Sequence, residues 1–293
     1  MPTAATHLHP NWDLPPNGIL DGYSIEITAK DVEDLRAAAP KMPPETPIAI
    51  TFLPGEEQDA RIAAAVAVRE MGFEPMPHFS ARRILSHEEF EGYLAAVVEQ
   101  AGVRRCFVVA GDPPEPQGPF FDTAALIATG AFERNGIMAI GIGGHPEGHP
   151  NMTDPQAWDV LEMKIAEIER RGMAPLIVTQ FGFDPDAFLD WLRKARLRGI
   201  DAPIRIGVPG PAGIKKLLRF AARCGVGASA SVMRKYGVSL GNLIGSAGPD
   251  RLVDEFAAKL GNEHGRVRLH FYPFGGVENT IDWIVRYNDK YGE

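Results

Sequence analysis

Ala174-Pro175-Leu176-Ile177-Val178-Thr179-Gln180-Phe181 is a short apolar run, and Gly182-Phe183-Asp184-Pro185 turns it into a segment, 185–198, whose apolar residues recur every three or four positions. A run of that length bounded by glycine reads as a buried strand. Asp184 ahead of Pro185 reads as a helix N-cap followed by a proline in the first turn, where its missing N–H costs nothing. Strand, turn, helix is the unit of a parallel sheet, because parallel neighbours need a long crossover between them.

The same unit recurs to either side. Further strand-like runs fall at 22–28, 47–53, 74–80, 105–112, 137–144, 204–209 and 267–272. Amphipathic stretches at 57–71, 86–101 and 154–171 start near Asp, Ser or Pro and stop before Gly72, Gly102 and Gly172, which mark helix exits; Asp31 reads as the N-cap of 31–39. Eight such units over about 270 residues suit a closed (β/α)8 barrel, for which roughly 250 are typical. An open doubly wound sheet fits less well. No Gly-x-Gly-x-x-Gly follows the first run, and the polar residues sit at most strand ends instead of one switch point. The expectation is an α/β protein with a single TIM barrel over 19–293, a loosely structured arm at 1–18, and a long excursion at 229–246.

Bulk properties narrow the setting. The 293 residues are 45% hydrophobic and 23% charged, enough for a large core. A net charge of −8 argues against a nucleic-acid partner. Cys106 and Cys224 are too few for a disulfide framework and lack zinc-type spacing. No signal peptide and no apolar run near the roughly 20 residues of a membrane span is visible. A cytoplasmic protein without membrane partners is expected.

In such a barrel chemistry gathers where strands end. Strand 1 carries Glu26 in an otherwise apolar run; buried there, it is either paired with a barrel Arg or Lys, or it holds its proton near neutrality. Thr51 and His78 end strands 2 and 3. Gly111-Asp112 follows strand 4, where Asp112 reads as a functional carboxylate or a turn residue. His145-Pro146-Glu147-Gly148-His149-Pro150 follows strand 5, with no ligand set that completes a metal site. Gln180 beside Phe181 and Phe183 suits a flat heterocycle, although phenylalanines there also serve as core packing. Gly207-Val208-Pro209-Gly210-Pro211 reads as a stiff turn into a helix with proline at its first position.

Taken in order, Glu26, Gly111-Asp112, His145-Pro146-Glu147-Gly148-His149-Pro150, Thr179-Gln180-Phe181-Gly182-Phe183-Asp184, Gly207-Val208-Pro209-Gly210 and His270-Phe271-Tyr272 resemble the methylenetetrahydrofolate reductase family across nearly the whole chain. The resemblance implies a flavoprotein that binds FAD and uses NADH or NADPH to reduce 5,10-methylenetetrahydrofolate to 5-methyltetrahydrofolate, in either direction, and that forms homo-oligomers. It implies that Glu26 is the proton donor and that Asp112 contacts the pterin near the flavin. Gln180 would orient the pterin, with Phe181, Phe183 and Tyr272 around the substrate. Thr51, His78, Gly111, His145, His149 and Lys164 would line the cofactor. Departures are visible too. Ala110 stands where the family usually has an Arg for the flavin diphosphate, and Met163-Lys164-Ile165-Ala166 lacks the usual basic pair. Arg82 and Arg83 are candidates to compensate. A flavin-free reductase or a redox-inactive folate binder are the alternative expectations.

Overall fold

A computed structural model describes residues 18–226 and 246–291. The expected arm, apart from Gly18, and the expected excursion, apart from Ser246, lie outside the described residues. Eight parallel strands close a barrel: β1 (Ser24–Ile27), β2 (Pro47–Ile50), β3 (Glu74–Ser80), β4 (Arg105–Val109), β5 (Ala139–Gly144), β6 (Ala174–Phe181), β7 (Ile204–Pro209) and β8 (Val267–Tyr272). Each strand pairs with its sequence neighbours, and β1 closes on β8 through Ser24 opposite His270. Four strands are shorter than the sequence suggests: those expected at 22–28, 47–53 and 105–112 stop early, before Thr28, Thr51 and Ala110, and those expected at 22–28 and 137–144 start two residues late, at Ser24 and Ala139.

The helices are α1 (Val32–Ala38), α2 (Gln58–Glu70), α3 (His87–Ala101), α4 (Thr123–Ala128), α5 (Ala131–Arg134), α6 (Asp154–Arg170), α7 (Pro185–Leu197), α8 (Ile214–Arg223), α9 (Asp250–Lys259) and α10 (Val277–Tyr291). Gly72, Gly102 and Gly172 do exit α2, α3 and α6 at positive φ. Asp184 caps α7 by accepting from the Asp186 N–H. Asp31 stands at the N-cap position of α1 but makes no side-chain cap bond to it; its carboxylate reaches back to the Thr28 N–H and hydroxyl, and Thr28 caps the 3-10 turn at 29–31 by accepting from the Lys30 N–H. Among the described residues no helix is long and apolar enough to cross a membrane.

Side chains alternate along each strand. Ile25, Ile27, Ile48, Ile50, Ile140 and Ile142 face the helices in the main core. Ala49, Met76, Phe107, Ala139, Ala174, Leu176 and Val178 fill the barrel interior. A Cβ on Gly141 would clash with the Phe107 ring, so this glycine makes the room that lets Phe107 plug the barrel. Above and beside this plug the interior turns polar.

The segment after β7 departs from barrel regularity. α8 starts at Ile214 behind Gly213, not at Pro211 as the turn reading expects, because Ala212 and Gly213 first pair antiparallel with Ser246 and Ala247. α8 then stays on the rim. Its Phe220 stacks on Phe274 after β8 (4.2 Å between centroids), its last residue Arg223 reaches Asp112 after β4 (3.9 Å), and Gly225 abuts Pro150 after β5. The outer position beside α7 and α10 is filled by α9: Phe256 packs on Phe188, and Trp283 and Tyr287 donate to Asp250 and Asp254.

Candidate active site

Glu26 lies on the inner face of β1, in register with Ala49 of the interior cluster. Its carboxylate neighbours are imidazoles: His78 Nε2 of β3 at 3.7 Å and His270 Nε2 of β8 at 4.0 Å. No Arg or Lys lies within ion-pair reach of it among the described residues, so the cation partner expected of a structural interior Glu is not what it has. His270 is held by Ser24, whose hydroxyl meets Nδ1 at 2.8 Å. His78 leans on the Phe107 ring at 4.7 Å.

These three groups set one another's charge. Burial lowers the His78 pKa to about 4 despite the pull of Glu26, and burial with the nearby Arg205 guanidinium lowers His270 to about 3. Both rings are therefore neutral near pH 7. Burial raises the Glu26 pKa, and His78 offsets this only in part. A carboxyl group between two neutral imidazoles keeps its proton to higher pH than usual while staying 21% exposed toward the mouth. That combination suits a proton donor.

Asp112 sits in the loop after β4 with its side chain 72% exposed, between Arg83 (3.5 Å) and Arg223 of α8 (3.9 Å). Gly111 before it takes φ +97°, and a Cβ there would strike the Ser80 hydroxyl, so only glycine brings the loop this close to β3. Arg82 is committed to the same loop: it donates to the Phe121 and Pro113 carbonyls at 2.9 and 3.2 Å. Arg82 thus places its Nε and Nη1 donors on backbone carbonyls of this loop.

The loops after β5 and β6 are joined by a residue to which sequence reading attached no role. Glu147 accepts from the Phe183 N–H (2.8 Å) and the Asp184 N–H (3.0 Å), so the two most specific sequence motifs grip each other. Gln180 Oε1 folds back onto the Phe181 N–H at 3.1 Å. Tyr272 donates to the Thr179 carbonyl at 3.0 Å, and the Thr179 hydroxyl accepts from the Gly207 N–H at 2.8 Å, where β6 shifts register against β7. Phe183 has no exposed surface and Phe181 almost none. Phe183 as a substrate wall is corrected to core packing, and Phe181 reaches the site only through its edge contacts with Tyr272 and Phe274.

Because all strands are parallel, Glu26, Asp112 and Gln180 share one rim. Cys224 at the end of α8 feels both Glu26 and Asp112 in addition to its burial, and the buried Tyr272 hydroxyl feels Glu26. A second group lies on the β5 side. His145 and His149 meet edge to face at 4.6 Å beside Lys164 of α6. Burial lowers the pKa of all three, His145 to about 3, and the Asp122 carboxylate offsets this in part at Lys164. Among the described residues the buried Thr51 and Ser80 hydroxyls have no hydrogen-bond partner. Such hydroxyls, and an ammonium with no carboxylate in ion-pair contact among the described residues, fit a ligand with a polar ring and an anionic group, as a flavin nucleotide has.

A sequence model of the family described as methylenetetrahydrofolate reductase matches residues 28–281. The chain is 27% identical over 139 residues to "Methylenetetrahydrofolate reductase (NADH) 1" of Arabidopsis thaliana, covering 43% of this chain and 24% of that protein. It is 28% identical over 167 residues to "5,10-methylenetetrahydrofolate reductase" of Pectobacterium carotovorum subsp. carotovorum, covering 56% and 53%. The matches thus span about a quarter to a half of these relatives' length. A dihydropteroate synthase from Thermus thermophilus superposes with a TM-score of 0.51 at 14% identity over 96% of both chains, a likeness of fold.

Proposed function

The chain belongs to the methylenetetrahydrofolate reductase family, and from that membership we propose that it reduces 5,10-methylenetetrahydrofolate to 5-methyltetrahydrofolate at the expense of NADH or NADPH. The observation that carries the reading is Glu26, a desolvated carboxyl group at the barrel mouth between two neutral imidazoles. In this reaction a proton on N10 of the folate breaks the bond from N10 to the bridging methylene. The resulting N5 iminium then accepts a hydride at that carbon, and the nicotinamide is oxidised. Glu26 supplies the proton. Asp112 places a negative charge near the cation as it forms. Gln180 orients the pterin edge once its amide leaves the Phe181 N–H, and Tyr272, held by the Thr179 carbonyl, bounds the pocket.

A bound flavin would supply hydride storage between the two substrates. Thr51, His78, Gly111, His145, His149 and Lys164 are the residues that would hold it. One observation favours a second reading in which hydride passes directly from nicotinamide to folate: Ala110 offers no cation, and Arg82 is committed to loop carbonyls. The visible spectrum of the purified protein, followed by NAD(P)H oxidation with methylenetetrahydrofolate with and without added FAD, separates them. Yellow protein bleached by NAD(P)H supports the flavin reading, and colourless protein that turns over supports the direct one. Tight folate binding with no turnover under either condition contradicts a reductase.

A further inference from the structure

Ser24 and Glu26 stand two residues apart on β1 and so share its inner face, and Ser24 lies directly opposite His270 of β8 in the parallel register. Closure of the barrel thereby brings a hydroxyl, an imidazole and a carboxyl group onto one stretch of inner wall. Ser24 and His270 are both buried, so bulk water does not compete for their polar atoms. Among the described residues His270 Nδ1, at 2.8 Å, is the one hydrogen-bond partner of the Ser24 hydroxyl.

A neutral imidazole carries one N–H and one lone pair, and its partner decides which nitrogen has which. If Nδ1–H donated to Ser24, the hydroxyl hydrogen would be buried with no acceptor, an arrangement that folded proteins avoid. If Ser24 donates to Nδ1, that hydrogen is used and the ring's own proton sits on Nε2. Nε2 faces Glu26 Oε2 at 4.0 Å. His78 Nε2 lies nearest the same oxygen, at 3.7 Å, so Oε2 is the oxygen turned to the imidazoles and Oε1 the one turned from them. Contacts of that length are electrostatic and not hydrogen bonds, but they act in a buried site where water screens them little. An N–H aimed at Oε2 favours the electron-rich carbonyl oxygen at that position and the carboxyl hydrogen on Oε1.

We propose that Ser24 is a positioning residue for proton transfer: by donating to His270 Nδ1 it fixes the Nε2–H form of the ring, which holds Glu26 Oε2 as the carbonyl oxygen and leaves the transferable proton on Oε1. This rests on the reductase reading above, in which Glu26 is the acid. As the proton passes from Oε1 to N10, the O–H electron pair stays on Glu26, and the pair of the N10–methylene bond moves to N10 while the N5 lone pair forms the iminium. The new carboxylate then meets the same Nε2–H, whose dipole already points at it. The other form of the ring would turn a lone pair toward that charge.

Tautomer and chemistry are read separately. Nitrogen-15 imidazole spectra of the whole protein near neutral pH, with His270 assigned by its loss in His270→Gln, should show Nε2 protonated and Nδ1 bare. In Ser24→Ala that preference should disappear. The single-turnover rate of methylenetetrahydrofolate reduction should fall about tenfold in the same variant, a part of the two to four orders of magnitude that a general acid contributes. The folate dissociation constant should stay within about twofold, because the interaction matters in the transition state and not in binding. Ser24→Thr keeps the hydroxyl and should restore both spectrum and rate, with thermal unfolding to check that each variant is folded. A protonated Nδ1 in the unaltered protein, an unchanged rate in Ser24→Ala, or a loss that Ser24→Thr does not restore overturns the positioning role and leaves the reductase reading intact. An unaltered protein that reduces no folate removes the reductase reading, and the positioning role with it.

Discussion

Glu26 and Asp112 are both carboxylates on one barrel rim, and they are prepared for opposite tasks. Glu26 grows from a strand, is 21% exposed, and faces two imidazoles that burial keeps neutral. Asp112 hangs from a glycine-pinned loop, is 72% exposed, and faces Arg83 and Arg223. The first environment withholds the compensation a negative charge needs and so retains a proton. The second surrounds an exposed side chain with cations and water. In the proposed reaction Glu26 would supply the proton that opens the folate ring, with the Asp112 side chain on the same rim.

The sharpest way to break this comparison is to remove the proton and keep the shape. Glu26→Gln should cut methylenetetrahydrofolate reduction by about two to four orders of magnitude, the range for a positioned general acid. NAD(P)H binding, read by fluorescence titration, should be unchanged. Equal loss of both would make Glu26 a structural residue. Asp112→Asn should do less, about tenfold on kcat/KM with no change in Tm, because its exposed ion pairs contribute little to stability.

The contrast in environment also predicts a contrast in stability against pH. Glu26 has a raised pKa in the fold, so its stabilising protonated form is lost as pH climbs through that value; Glu26→Gln should gain stability over the parent as pH rises. His78 and His270 have lowered values, so the fold is favoured above the ordinary 6.5 and loses stability as pH falls from there toward about 4 and about 3. His270→Gln should flatten that acid limb in chemical denaturation curves. The smallest expected effect is at Glu147. Glu147→Ala forfeits two backbone hydrogen bonds at about 1 kcal/mol each, whereas Glu147→Gln keeps an acceptor and should cost under about 1 kcal/mol, both read from denaturant midpoints.

Much of the architecture was legible because glycine, proline or polar residues punctuate the strand-like runs and several helices announce a cap or an exit, as Asp184 and Gly172 do. α8 was not. Its apolar spacing is that of any helix with one buried face, and nothing in a period says whether that face lies on a barrel wall or on its rim. Glu26 stood out as a charge inside an apolar run, but its partners, 52 and 244 residues away in sequence at His78 and His270, emerge only when the barrel closes. Glu147 escaped notice because its acceptors serve backbone N–H groups, which leave no trace in residue type. Phe183 was misplaced because an aromatic ring in a rim loop has the same composition signal whether it faces a ligand or the core.

Whether Glu26 holds its proton is read most directly by an infrared difference titration of the protein against Glu26→Gln. A protonated carboxyl band that persists above the ordinary carboxylate pKa of 4.5 and is absent from the variant is the predicted result. A carboxyl that ionises at or below that value would contradict it.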